Sequence, residues 1–167
     1  MELRVDVVID APPAAAWAVL GECFGYIGEW AAPITASELD GDLGVGAVRT
    51  CHVARFGPVA PGVVRERLIE FDPEHMLLAY ESVDGLPSFI ERAVNRLSVH
   101  ALAEHRCEVR ARARFELHGP VRLVSPFSRW QMEVNAGRVL DELRYEVEHG
   151  CPHPRKLASL AQMRAVG

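Results

Sequence analysis

Between Ile34 and His118 the chain places apolar residues at every second position, in successive stretches joined by short polar links. Period two marks a strand with one buried face, because successive side chains of a pleated backbone point to opposite sides. Turn chemistry at Asp40-Gly41, Gly57-Pro58, Asp72-Pro73, Asp84-Gly85 and Glu104-His105-Arg106 punctuates the run. The spacing predicts strands over 34–40, 46–55, 62–71, 76–83, 89–102 and 106–118. Links this short allow only antiparallel neighbours, since a parallel pair needs a crossover of about a dozen residues or more. The last stretch is the clearest: Cys107, Val109, Ala111, Ala113, Phe115 and Leu117 alternate with Glu108, Arg110, Arg112, Arg114 and Glu116. A consecutive antiparallel meander is the frame that every other segment must fit.

Before the meander, LRVDVVIDAP alternates Leu3, Val5, Val7 and Ile9 with charged residues and stops at Pro12-Pro13, a strand running into a helix start. PAAAWAVLGECFGYIGEWAAP then reads as two short helices broken near Gly21 to Gly25, with Trp17, Leu20, Phe24, Ile27 and Trp30 inward and Pro33 as the stop. After Gly119-Pro120 the period becomes 3.6. Met132, Asn135/Ala136, Val139/Leu140, Leu143 and Val147 form one stripe of a helix from about Ser125 to His149, capped by Gly150. At about 1.5 Å per residue such a helix is ~37 Å long, enough to cross a whole sheet. Residues 1–149 are expected to form one domain, and 150–167 a tail with a short helix from Leu157 to Arg164.

Composition narrows the function classes. With 18 Lys+Arg against 23 Asp+Glu the net charge is −5, which argues against a general nucleic-acid binder. Glu108 and Glu116 flank the arginines of the last strand, so that strand is expected to present a solvated sheet face rather than a basic patch. Lys156 is the only lysine, which leaves Schiff-base chemistry to a single residue of the tail. Cys23, Cys51, Cys107 and Cys151 are scattered, and MELRVDVVID lacks the pattern of a signal peptide. Free thiols in a reducing cytoplasm are therefore expected. No apolar run approaches the roughly 20 residues of a membrane span.

The order strand, two short helices, antiparallel meander and long C-terminal helix resembles the START-like, or SRPBCC, superfamily. This group includes the polyketide cyclase/dehydrase proteins and the pollen-allergen-like plant proteins. The resemblance rests on VDVVIDAPPAAAWAVLGECFGYIGEW at 5–30, GVGAVRTC at 44–51 and VVRERLIEFDPE at 63–74. It implies an α+β helix-grip fold, in which a seven-stranded antiparallel curved sheet wraps the long helix and leaves an internal apolar cavity. Receptors, carriers and enzymes share this architecture, so the fold does not choose among them.

In such a cavity the informative residues are polar ones at inward positions. Glu66 shares a face with Val64 and Leu68, opposite Arg65 and Arg67, and it resembles the family's cavity-lining glutamate. It is either a carboxylate buried for structural reasons, or a ligand anchor or general base. Arg49, on the face of Ala47 and Cys51, resembles the family's arginine on the neighbouring strand and is its natural partner. Such a pair would hold a ligand carboxylate or carbonyl and keep Glu66 ionised. Tyr80 and Ser82, beside Leu78, resemble family pocket positions. Asn95 interrupts the inward set Ala93, Leu97 and Val99, and Asn135 interrupts the helix stripe. Ligand-binding candidates are thus Arg49, Glu66, Tyr80, Ser82, Asn95, Leu97, Met132, Asn135 and Val139. The plainer alternative is a buried water network between helix and sheet.

The loops FGPVAPG (56–62) and DGLPS (84–88) lie where family receptors carry gating loops, and both also suit ordinary hairpins. Phe127 and Trp130 either close the same end or pack under the tail. His149-Gly-Cys-Pro-His153 offers metal-binding atoms without a fourth ligand at zinc-like spacing, so neither a metal nor a cofactor is expected. GDLGVGAV precedes a strand, not a helix, and so makes no phosphate-binding turn. Cys51 and His52 point to opposite faces and cannot form a dyad.

Two functions follow as expectations. In the first, the cavity binds a small hydrophobic molecule (aromatic, polyketide-like or lipid-like), its polar edge held by Arg49, Glu66, Tyr80 and Asn95. In the second, a polyketide cyclase/aromatase-type enzyme folds a poly-carbonyl chain. Arg49 and Tyr80 would polarise a carbonyl, and Glu66 would relay a proton for aldol closure and dehydration. In either case the protein is a monomer or homodimer with a small-molecule partner.

Overall fold

The computed structural model describes residues 1–54, 61–118 and 126–166. Seven antiparallel strands form one sheet: β1 (Glu2–Ile9), β2 (Ile34–Asp40), β3 (Val48–Val53), β4 (Gly62–Asp72), β5 (Leu77–Asp84), β6 (Ile90–Ala103) and β7 (Arg106–Leu117). The spatial order is β1-β7-β6-β5-β4-β3-β2. The six later strands pair consecutively, as the alternation predicts, and β1 closes the far side against β7 with Val5 opposite Ala111. β1 and β2 are therefore the two sheet edges, and the helical insertion between them carries the chain across.

That insertion comprises α1 (Pro13–Trp17), a π-helical turn over Ala18–Glu22, a 3-10 turn over Phe24–Tyr26 and α2 (Ile27–Trp30). The break predicted near Gly21–Gly25 is present as these irregular turns. Glycine is required where α2 meets β2: a Cβ on Gly28 would lie 2.7 Å from the Ser37 nitrogen. Ser37 Oγ accepts from Gly28 N at 2.8 Å and donates to the Gly25 carbonyl at 2.7 Å, fastening the insertion to the sheet.

The long helix α3 (Pro126–His149) packs on the sheet's inner face, which gives the helix-grip arrangement. Leu140 and Leu143 join Ile9, Trp17, Leu20, Phe24, Leu68, Leu78, Val99 and Val109 in the core. Gly150 ends α3 with φ +66°, its nitrogen bonding the Glu146 carbonyl at 2.8 Å. The left-handed conformation is open to glycine without a Cβ penalty.

Two details depart from the sequence pattern. The pairing of β4 with β5 shifts between Leu68 and Glu70, so Ile69 is an extra, bulged residue. The bulge reverses the strand's parity and turns Phe71 inward, where it stacks on Trp17 at 5.7 Å between centroids. Simple alternation would have placed Glu70 there; it instead pairs with Arg96 on the other face. The C-terminal helix α4 spans Pro154–Val166, starting earlier than the predicted Leu157 because Pro154 suits a first helical position.

On the outer sheet face Arg110 pairs with Glu108, and Arg112 with Asp6. No helix among the described residues is long and apolar enough to cross a membrane.

Candidate functional site

Between the sheet and α3 lies a cavity of about 180 Å³. The insertion supplies one wall with Val19, Leu20, Cys23, Phe24, Ile27 and Trp30, and α3 supplies another with Ala136, Val139 and Leu140. The sheet contributes Arg49, Tyr80, Asn95, Leu97 and Ala111. Strand pairing explains this convergence: Leu68 lies opposite Tyr80, Tyr80 opposite Asn95, and Asn95 opposite Ala113, a row of inward positions across four strands.

Arg49 and Glu66 are directly opposite on β3 and β4. The guanidinium, 3% exposed, donates to Glu66 Oε2 from Nε at 3.0 Å and from Nη2 at 2.5 Å. Nη1 donates to the Phe24 carbonyl at 2.7 Å, tying the pair to the insertion. The Phe24 ring lies 3.9 Å from the guanidinium carbon and the Tyr80 ring 5.0 Å, so aromatic π faces add to the stabilisation of the cation. Burial by itself disfavours the charge on Arg49, but the Glu66 carboxylate more than offsets it, and the net displacement is upward. Arg49 stays a cation at any working pH.

The same surroundings act on the neighbouring acids. Burial, then the negative field of Glu66, pushes Cys51 up to about 12, and its Sγ lies 3.6 Å from Glu66 Oε2. Tyr80 is raised by burial and Glu66, with Arg49 opposing. Both remain protonated near neutrality, so neither is a ready nucleophile or base. A buried thiol of this kind resists alkylation.

Of the residues singled out from sequence, Arg49, Tyr80, Asn95, Leu97 and Val139 line the cavity together. Glu66 stands behind Arg49, and Ser82 is its register neighbour on β5. Asn135 is buried but, like Met132, is not among the lining residues, and Ala136 takes the inward place on that turn. Trp130 is more than half exposed. None of residues 84–88 lines the cavity. The Phe127 side chain and most of the 56–62 loop lie outside the described residues. The insertion wall was legible as an apolar stripe, but the sequence did not mark it as facing a hollow rather than solid core.

The sequence reading also missed a second buried charge cluster. Glu142 on α3, 2% exposed, accepts from Ala32 N at 2.8 Å and from Arg155 Nε at 2.9 Å. Arg155 also bonds Asp141 at 2.6 Å and the Arg138 carbonyl at 3.2 Å. Lys156, expected in an outlying tail, is 1% exposed and donates to the Ile34 carbonyl at 2.5 Å. Burial pushes its ammonium below the usual lysine range while Glu142 works against that. Ser159 adds a bond to the Ala32 carbonyl. His149 and His153, considered above as metal ligands, pack against the Tyr145 ring. Among the described residues no three His, Cys, Asp or Glu side chains are grouped to hold a metal.

A family model described as polyketide cyclase / dehydrase and lipid transport matches residues 1–148. Comparison with curated proteins finds no sequence match. Among solved structures, one from Thermobifida fusca shares 27% identity at TM-score 0.66, covering 91% of this chain and 97% of that one. Ara h 8.0201 shares 13% at TM-score 0.71, covering 88% and 97%. Truncated norcoclaurine synthase from Thalictrum flavum shares 17% at TM-score 0.67, covering 89% and 94%. The latter two likenesses are likenesses of fold.

Proposed function

The chain belongs to the polyketide cyclase/dehydrase and lipid transport family, and from that premise we propose that it binds a small hydrophobic molecule in the cavity between sheet and α3. The observation that carries this reading is the wall itself: apolar side chains from three elements surround a hollow, with Arg49, Tyr80 and Asn95 converging on it. Ligand sites are commonly built this way, from apolar lining with a few placed polar groups.

The catalytic alternative needs Glu66 as a proton relay. Its Oε2 already accepts two bonds from Arg49 and one from Cys51. Using that oxygen as a base would break a buried ion pair and strand the arginine, which favours binding over catalysis.

Native mass spectrometry of protein purified from its own host tests the proposal. The expected result is a retained apolar ligand that exchanges with added hydrophobic molecules. Protein that neither retains nor exchanges any such molecule would sink it.

A further inference from the structure

The binding reading just given is the premise for a narrower one, which concerns the size and charge of the ligand. The cavity holds about 180 Å³. An apolar hole of about 150 Å³ accommodates one benzene ring, whereas drug-sized ligands occupy about 300–1,000 Å³. A folded polyketide chain or a long acyl chain exceeds the space available.

Charge narrows the class further. Arg49 is the one charged side chain lining the cavity among the described residues, and its charge is already matched. Two of its nitrogens bind Glu66, the third binds the Phe24 carbonyl, and two aromatic rings lie against its plane. A ligand anion would bring an extra charge into a wall whose cation is committed elsewhere. A ligand cation would meet a Glu66 oxygen that is already occupied. Either leaves net charge in an apolar hollow, which is strongly unfavourable.

The wall does have hydrogen-bonding capacity to spare. Trp30 lines the cavity, and its indole nitrogen is buried with no hydrogen-bond partner among the described residues. Buried donors are nearly always satisfied, so an orphan in a cavity-lining residue calls for an acceptor. Asn95 adds an amide on the sheet side, and the Phe24–Tyr80 pair, tilted with centroids 5.6 Å apart, offers aromatic surface. We infer that the cavity takes a neutral, single-ring aromatic molecule bearing a hydrogen-bond acceptor, in preference to an anion, a fused polyketide or an acyl chain.

Two exposed thiols provide the test. Cys23 lines the cavity, and Cys151 lies in the link between α3 and α4. The full-length protein is alkylated with iodoacetamide beside benzamide, benzoate or 1-dodecanol, and peptide mass spectrometry reads the rate at each thiol. Saturation-transfer NMR on the same samples reports binding anywhere. Benzamide should slow Cys23 about tenfold at about 90% occupancy and leave Cys151 unchanged, while its isostere benzoate and the longer dodecanol leave both rates alone. Equal protection by benzoate overturns neutrality, and stronger protection by dodecanol overturns the size limit; in both cases the cavity still binds and the broader reading survives. Benzamide bound without protecting Cys23 lies elsewhere, which also overturns the inference. No protection and no transfer from any probe defeats both readings together.

Discussion

Two buried charge clusters, built from the same chemistry, differ in what surrounds them. At the cavity, Arg49 and Glu66 face each other across adjacent strands, and aromatic rings from two elements lie over the guanidinium. At the α3–α4 junction, Glu142, Arg155 and Lys156 come from two helices and spend many of their bonds on backbone groups: Ala32 N and the Arg138 and Ile34 carbonyls. The first cluster borders empty space; the second fills the seam where α4 closes over the α2–β2 connection. A buried ion pair does not by itself mark a ligand site, and what separates the two cases is whether a hollow adjoins it.

The largest effect that would break this comparison is loss of one partner at the cavity. Arg49→Leu leaves Glu66 buried without its cation and should cost about 3–5 kcal/mol, read as a fall in the urea midpoint. Adding Glu66→Leu should restore most of that stability, since replacing a whole buried pair by apolar residues is often neutral. A loss below about 1 kcal/mol for Arg49→Leu would mean that water, not Arg49, solvates Glu66.

A smaller and more local effect is expected at the other cluster. Glu142→Ala removes the acceptor of Ala32 N and one partner of the partly exposed Arg155, for about 1–3 kcal/mol. Hydrogen exchange should show faster opening of α4 and the 31–34 segment, with the strands about Arg49 little changed. Equal acceleration in β3 and β4 would show that the clusters are one cooperative unit.

Acid provides the mildest contrast. For Asp141, burial raises the pKa but the hydrogen bond from Arg155 and the nearby cations overcome it, so its folded pKa lies below the ordinary 3.8. A depressed carboxylate stabilises fully above its unfolded value and loses that contribution as pH falls through the folded one. Protection of α4 amides should therefore fade below about pH 4. A constant protection pattern down to about pH 2 would remove Asp141 from the docking of α4.

The two clusters also differ in how far the sequence announced them. Glu66 and Arg49 were legible because each interrupts an apolar face whose period is local, and antiparallel pairing then brings those faces together. The strand boundaries, the inward set Leu78, Tyr80, Asn95 and Leu97, and the break in the helical insertion were legible for the same reason. Glu142 sits on a long helix where a carboxylate every few residues is unremarkable, and Lys156 follows a proline-rich link that gives no sign of folding back.

What the sequence determined alone was therefore everything that follows from period: seven strands, one gripping helix, and which residues of each face inward. Only the tertiary structure decided the rest. The Ile69 bulge, which turns Phe71 inward, depends on how β4 must bend against β5. Burial of Lys156 depends on where α4 comes to rest, and the 180 Å³ hollow on how far α3 and the insertion settle onto the sheet. Periodicity fixes the direction of a side chain because that is a property of neighbouring dihedrals. The distance between two packed elements depends on all the side chains between them, and no local pattern encodes it.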